Sequence, residues 1–300
     1  MGMTTDMTNA AEPQKDPFLT HRNLLFTVAY EMLGSAADAE DVVQESWLRW
    51  SGVDRARVSD PRAYLVRIVT RQSLNRLRTL SRRREGYVGE WLPEPLLTGP
   101  DVAEDVELAE SVSIAMLTVL ETLAPAERAV FVLREVFDLP YEEIAAAVGK
   151  SAATVRQTAR RARTHVAARR PRMRVERAEQ REVVARFLAA LRTGRLQELM
   201  EVMAPDVVMI TDGGGVVAAA LAPLHGAELV AGILAGAHGK VTELDTALVL
   251  LNGEPAGRID FDGVPSTVSL AVEDGRVTRI YVVRNPGKLT RLDTPSDLTR

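Results

Sequence analysis

Leu139-Pro140-Tyr141-Glu142-Glu143-Ile144-Ala145-Ala146-Ala147-Val148-Gly149-Lys150-Ser151-Ala152-Ala153-Thr154-Val155-Arg156-Gln157-Thr158-Ala159-Arg160-Arg161-Ala162-Arg163-Thr164-His165-Val166-Ala167 is the stretch on which the reading of the chain turns. Pro140 stands where the first turn of a helix tolerates a missing N–H, and Glu142 and Glu143 suit the positive end of the helix dipole. Tyr141, Ile144, Ala145 and Val148 then recur on one apolar face. Gly149 ends that helix and Ser151 caps the next. In the second helix Ala152, Val155, Ala159, Ala162 and Val166 form the inner stripe, and Arg156, Gln157, Arg160 and Arg163 face outward. Two helices joined by a short turn with glycine, the second loaded with arginine, form a helix-turn-helix pattern.

An ordinary helical hairpin with a solvated charged face has the same periodicity. Arginine excess by itself is weak evidence here, because the only lysines are Lys15, Lys150, Lys240 and Lys288 and every other basic residue is arginine. The turn geometry carries more weight, and so does the absence of any acidic residue from Ser151 to Val175. A face that needed only solubility would intersperse both signs. The stretch therefore reads as a DNA-binding element.

The 300 residues allow two or three compact units, and 46% hydrophobic with 26% charged residues is the balance of a globular chain. No apolar run approaches the roughly 18 residues of a membrane span, and residues 1–16 lack a signal-peptide pattern and read as a disordered leader. The chain has no cysteine, which excludes disulfides and thiolate metal sites, and His21, His165, His225 and His238 are too scattered for a ligand set. A cytoplasmic protein with no metal and no cofactor is expected. Acidic and basic residues balance over Met1–Ala178, so the net charge of −4 falls on the remainder. Affinity for nucleic acid must then come from local patches.

Working outward, helices are expected over His21–Leu33, Ala36–Trp50 and from Pro61 to about Arg84. The second carries Asp38, Glu40, Asp41, Gln44 and Glu45 on one side. The third carries Arg62, Arg67, Arg71, Arg76, Arg78, Arg82, Arg83 and Arg84 with no acid among them, a self-repelling face unless phosphates neutralise it. Residues 86–106 hold Trp91-Leu92-Pro93-Glu94-Pro95 among glycines and read as an extended, docked linker rather than a floppy one. Glu107–Thr122 and Pro125–Phe137 are expected as two further helices leading into the helix-turn-helix.

Three motifs in order, Asp38-Ala39-Glu40-Asp41-Val42-Val43-Gln44-Glu45, Pro61-Arg62-Ala63-Tyr64-Leu65-Val66-Arg67-Ile68 and Tyr141-Glu142-Glu143-Ile144-Ala145, resemble those of bacterial RNA polymerase sigma factors of the extracytoplasmic-function class. The resemblance implies two all-α domains, at 17–85 and 107–172. It implies that Asp38, Asp41, Gln44 and Glu45 bind the β′ clamp helices of core RNA polymerase, and that the second domain meets the β flap. It implies that the basic helix melts and reads the minus-ten element of promoter DNA and that the helix-turn-helix reads the minus-thirty-five element. Carried onto this sequence, the DNA-binding residues are Arg67, Arg71, Asn75, Arg78, Arg82 and Arg83, then Ser151, Thr154, Arg156, Gln157, Arg160 and Arg161. Helix position puts Arg156, Gln157 and Arg160 within reach of base edges, while Arg172 is expected to hold phosphate. Arg71 departs from the family pattern, which often has asparagine there.

Beyond residue 177 the texture changes. Ala178–Leu191 and Leu196–Met203 read as helices, Asp206–Thr211 as a strand, Asp212-Gly213-Gly214-Gly215 as a sharp turn and Ala227–Ala237 as a helix. Strands are expected at Leu244–Asn252, Gly257–Phe261, Ser266–Glu273 and Val277–Val283. The turns Asn252-Gly253, Asp262-Gly263 and Asp274-Gly275 between them are hairpin signals. This α+β layout over 178–284 resembles the cone-shaped SnoaL-like domain, with a curved antiparallel sheet. Extracytoplasmic-function factors with such an extension share the linker motif Trp91, Leu92, Pro93, Glu94, Pro95, the Asp212, Gly213, Gly214, Gly215 turn, and a tail over 285–300 that here reads Asn285-Pro286-Gly287-Lys288-Leu289. Gly287 departs from the acid of the family pattern. The resemblance implies that the fused domain controls the sigma core in cis through these residues, with no separate anti-sigma factor required. It leaves open a small-molecule ligand in the cone. The other reading is a cyclase or isomerase using Asp212, His225 or His238, although no Asp–His pair has diagnostic spacing.

Overall fold

A computed structural model describes residues 16–84, 86–169 and 175–300, the side chains of residues 81–83 excepted. Residues 1–15 of the expected leader, and Arg172 with its expected phosphate contact, lie outside the described residues. Asp16, expected at the end of the leader, belongs to the fold. Its carboxylate accepts from the Phe18 N–H at 2.9 Å and from Trp50 Nε1 at 3.0 Å, and it pairs with Arg55.

Helices α1 (Pro17–Leu33), α2 (Ala36–Ser51) and α3 (Pro61–Arg84) form a first bundle. Short helices α4 (Pro100–Glu104), α5 (Val106–Val112) and α6 (Ile114–Leu120) follow, then α7 (Pro125–Phe131) with a widened turn over Val132–Val136, α8 (Tyr141–Val148) and α9 (Ala152–Arg169). The single helix expected over Glu107–Thr122 is broken at Ser113. That residue leaves the helical region (φ −56°, ψ 147°), and its hydroxyl accepts from the Met116 N–H at 3.1 Å, so it caps α6 instead of continuing α5. The helix-turn-helix forms as read. Gly149 closes α8 in the left-handed region at φ 70°, Ser151 accepts from the Thr154 N–H at 3.2 Å, and Val155, Thr158, Ala159, Ala162 and Val166 are buried. One apolar cluster runs through α1–α3 and α5–α9, so the two helical units share a continuous core.

The C-terminal unit has α10 (Arg177–Thr193), α11 (Leu196–Val202) and α12 (Ala227–His238) against a sheet of β1 (Met203–Asp212), β2 (Leu224–His225), β3 (Leu244–Leu251), β4 (Glu254–Phe261), β5 (Val264–Glu273) and β6 (Arg276–Val283). The sheet order is β2-β1-β6-β5-β4-β3. It is not wholly antiparallel: β1 and β6 pair in parallel, because β1 enters from α11 instead of from a hairpin. The three hairpins joining β3 to β6 turn as their dipeptides predict, with Asn252, Asp262 and Asp274 at φ 53°, 50° and 50° before glycines that are also positive. Val183, Phe187 and Leu188 of α10 fill the concave side against Ile259, Val268, Leu270 and Ile280.

Phe187 is 1% exposed at the centre of that packing. Phe187→Ala is expected to destabilise the C-terminal unit by about 3–5 kcal/mol, through lost burial and an unfilled cavity. Urea unfolding followed by far-ultraviolet dichroism checks it.

Candidate functional site

The linker is held by its own hydrogen-bonding arithmetic. Pro93 and Pro95 have no N–H, so Leu92, Glu94 and Leu96 carry the only donors from 92 to 96. Each goes to a different element. Leu92 donates to Asp212 Oδ2 at 2.9 Å, Glu94 to the Gly34 carbonyl at 2.9 Å between α1 and α2, and Leu96 to Asn252 Oδ1 at 2.9 Å in the β3–β4 turn. Leu92 and Leu96 are fully buried. Beyond them Thr98 donates to the Leu250 carbonyl at 3.0 Å, and Ser296 donates to the Leu97 carbonyl at 2.7 Å, so the linker runs between β3 and the C-terminal tail. The docked linker read from the sequence forms up to Gly99, but the extended reading of 86–106 fails beyond it: Pro100, at a first helical position, opens α4 (Pro100–Glu104), and α5 begins at Val106.

Asp212, fully buried at the end of β1, is the hub of the expected regulatory residues. Oδ1 accepts from Tyr87 Oη at 2.6 Å and the Gly214 N–H at 3.0 Å, and Oδ2 accepts from Leu92 and from Lys288 Nζ at 2.7 Å. Lys288 also donates to the Leu92 carbonyl at 2.5 Å and lies 3.9 Å from the Trp91 ring centre, while Arg84 covers the same ring at 3.7 Å. Burial lowers Lys288 to about 8 and Arg84 to about 10. Trp91 is thus held between two cations, one from α3 and one from the tail. Asn285 donates to Tyr87 Oη at 2.8 Å, Pro286 opens a short helical turn, and Leu289 is buried in the seam with Leu92. Gly287 contributes only its N–H, to Asn285 Oδ1 at 3.0 Å. Gly214 and Gly215 sit at φ 63° and 73°, and a Cβ on Gly214 would collide with Asn285. The Gly213 carbonyl accepts from Val216 at 3.0 Å. The fold brings the linker, the Asp212 turn and the tail into one cluster.

The surfaces expected to meet polymerase and DNA are partly engaged with each other. Arg76 of α3 pairs with both Asp38 (2.7 Å) and Asp41, and Gln72 donates to Glu45 at 2.8 Å; Gln44 is exposed. Two of the α3 arginines, read as lacking any compensating acid, find one across the interface: Arg76 in α2, and Arg84 in Glu121. Arg71 donates to the carbonyls of Ala146 (2.8 Å) and Ala147 (3.3 Å) at the end of α8, so the basic helix lies on the helix-turn-helix. Arg67 stacks over Tyr64 at 5.0 Å, and Arg78 donates to Asn75 at 3.1 Å. The side chains of Arg82 and Arg83 lie outside the described residues. On α9, Gln157, Arg160 and Arg161 are exposed, Arg156 pairs with Glu142 at 2.9 Å, and the Ser151 and Thr154 hydroxyls bond each other at 2.8 Å.

Several participants have no individual signal in the sequence. Tyr87 and Tyr30 read as ordinary aromatics, and Asn252 reads only as a turn residue. Tyr87 stands two residues from Gly89 in a segment without periodicity. Glu31 lies on the inner face of α1, where it breaks the apolar pattern; that break was the one available clue. Its carboxyl is fully buried, accepts from Ser111 Oγ at 2.9 Å, and lies beside Arg128, whose Nε donates to the Glu31 carbonyl at 2.9 Å. Arg128 also pairs with Glu121, joining α1, α6 and α7.

Burial raises the Glu31 carboxyl from 4.5 to about 8. Between those values the folded chain holds a proton that the unfolded chain releases, so this group's contribution is complete below pH 4.5 and is lost as pH rises through about 8. Glu31→Gln is expected to flatten the fall in the urea midpoint between pH 5 and pH 8, relative to the parent chain. Parallel slopes in the two proteins would count against it.

Residues 18–83 match the model for Sigma-70 region 2, and residues 113–166 match that for Sigma-70, region 4. The chain is 37% identical over 284 residues to the ECF RNA polymerase sigma factor SigJ of Mycobacterium tuberculosis, covering 90% of this chain and 91% of that protein. It is 34% identical over 287 residues to the probable ECF RNA polymerase sigma factor SigI of the same species, covering 94% and 96%. The crystal structure of M. tuberculosis SigJ superposes with a TM-score of 0.73 at 34% identity, over 93% of this chain and 99% of that one.

Proposed function

Because the chain belongs to the extracytoplasmic-function RNA polymerase sigma factors, which direct core polymerase to promoters, we propose that its C-terminal domain governs that activity in cis, by holding the two promoter-reading units together. The observation that carries the reading is the pair of hydrogen bonds from Arg71 to the end of α8. They join the helix assigned to the minus-ten element to the unit assigned to the minus-thirty-five element. The two elements lie roughly 80 Å apart along the duplex at about 3.4 Å per base pair. A chain with α3 seated on α8 cannot span that distance, so promoter engagement requires the units to part.

The linker is the physical restraint on that parting. Its three N–H groups tie the α1–α2 turn, β1 and the β3–β4 hairpin to a single strand of chain. Being tethered, the C-terminal domain acts at a high effective concentration, so contacts of modest strength hold the closed form. In this reading Asp38, Asp41, Gln44 and Glu45 capture polymerase. Arg67, Arg71, Asn75 and Arg78, with Arg82 and Arg83, serve the melted strand, and Ser151, Thr154, Arg156, Gln157, Arg160 and Arg161 serve the upstream duplex. The packed interior of the sheet around Phe187 and the complete use of both Asp212 oxygens favour a contact role for the domain over ligand binding or catalysis. No separate anti-sigma protein is needed under this scheme.

Run-off transcription with core polymerase, comparing the full chain with one ending at Arg174, tests the proposal. The shortened chain is expected to change promoter output several-fold while keeping the same start site. Equal affinity and equal output would refute control in cis.

A further inference from the structure

The three hairpins of the sheet provide a comparison within one molecule. Asn252, Asp262 and Asp274 hold the same position in turns of the same kind, with φ of 53°, 50° and 50°. The turn therefore accepts either residue. Asp262 and Asp274 are exposed, and Asp262 spends its carboxylate locally on the Thr242 and Glu243 N–H groups. Asn252 is fully buried.

Its side chain makes three hydrogen bonds, all outside its own domain. Nδ2 donates to Tyr30 Oη at 2.6 Å and to the Val112 carbonyl at 2.8 Å, and Oδ1 accepts from Leu96 N at 2.9 Å. The main chain adds a bond from Asn252 N to the Leu96 carbonyl at 2.9 Å. An aspartate here would set a carboxylate against the Val112 carbonyl with no N–H to offer, in a site closed to water. The turn thus tolerates either residue, and the partners select asparagine.

The bonds continue toward the polymerase-binding helix. Tyr30 Oη donates to the Glu94 carbonyl at 2.6 Å. The Glu94 carboxylate, 3% exposed, accepts from the Ala36 N–H at 2.7 Å and, at 3.4 Å, from the Ala37 N–H and Ser35 Oγ. It sits on the free N–H groups of the first turn of α2, where a negative charge is favoured. Asn252 at one end and α2 at the other are thus joined through Tyr30 and the linker. Gly253 allows the close approach: a Cβ there would lie 2.7 Å from Ala109 Cβ.

We propose that the Asn252-Gly253 tip is a latch that couples docking of the C-terminal domain to capture of core polymerase, by seating Glu94 on the first turn of α2. The latch rests on control in cis as read above and says through which contact it is exerted. Coupling of this kind is reciprocal: whatever loosens the tip favours the polymerase-competent form, and polymerase binding loosens the tip. Raising the competent fraction lowers the apparent Kd in proportion.

The test uses the full-length chain in three variants. Asn252→Asp breaks the latch while keeping a turn residue that two sister hairpins already use, Asp262→Asn is the exposed control, and Asp212→Ala loosens the docked domain at a different point. Amide hydrogen exchange is read at Leu96 and Ala36, with the β4–β5 ladder at Val268 as the folding control, and affinity is read with core RNA polymerase itself. Asn252→Asp is expected to speed exchange at both Leu96 and Ala36 at least ten-fold, to leave Val268 protected, and to lower the Kd for core polymerase several-fold. Asp262→Asn is expected to change none of these. If Ala36 keeps its protection, or the Kd stays unchanged, in Asn252→Asp while Asp212→Ala lowers the Kd, the latch is wrong and control in cis stands. If neither Asn252→Asp nor Asp212→Ala moves the Kd, both fall.

Discussion

A strand of chain with alternating prolines can make few hydrogen bonds, and those it can make all point where its neighbours stand. That constraint governs this molecule. Between Leu92 and Leu96 the three available N–H groups reach β1, the α1–α2 turn and the β3–β4 turn. The linker therefore has no docked conformation that satisfies its backbone without both the α1–α2 turn and the C-terminal sheet in place. An unpaired buried N–H costs about 1–3 kcal/mol, so losing one contact weakens the case for the others. Cooperative release, in place of gradual fraying, is the natural behaviour of such a segment.

Charge reinforces the same seam. Asp212, Lys288, Arg84, Glu121 and Arg128 are all substantially buried, and each meets an opposite charge or an aromatic face supplied by another part of the chain. Buried ion pairs contribute little net stability compared with apolar packing, but breaking one partner away is expensive. They suit an interface that must be specific when closed and intolerant of partial opening. Asp38 and Asp41 add a second use of charge. Their pairing with Arg76 sets the acidic helix against the basic one, so two of the carboxylates assigned to polymerase are already engaged in the free chain.

Much of this was legible in the sequence. The helix-turn-helix followed from Gly149, Ser151 and the apolar spacing, and the hairpins followed from Asn-Gly and Asp-Gly. The docked linker followed from placing Trp91 and Leu92 beside two prolines. The expectation of contacts around Asp212 came from resemblance, not from periodicity. The break at Ser113 was missed because the apolar pattern continues across it, and only the local hydroxyl cap decides the matter. The parallel pairing of β1 with β6 was missed because strand patterning fixes which side chains face inward but leaves the neighbour open. Asn252 was seen as a turn residue and no more, since its role depends on Tyr30 and Val112, distant in sequence and brought close only by docking. The acids that pair with Arg76 were in view on α2, but helices read one at a time cannot show that they pair.

Under control in cis, the free chain keeps its two promoter-reading units closed, and polymerase with promoter parts them. The absence of cysteine allows clean labelling at one exposed site on α3 and one on α9, Thr79→Cys and Ala153→Cys. Energy transfer between fluorophores at these sites, read first in the free full-length chain and then in the complex with core polymerase and promoter DNA, measures the spread directly. A single short distance is expected in the free chain, with an increase of several tens of ångström in the complex. A free chain already at the long distance, or a complex that retains the short one, would contradict it.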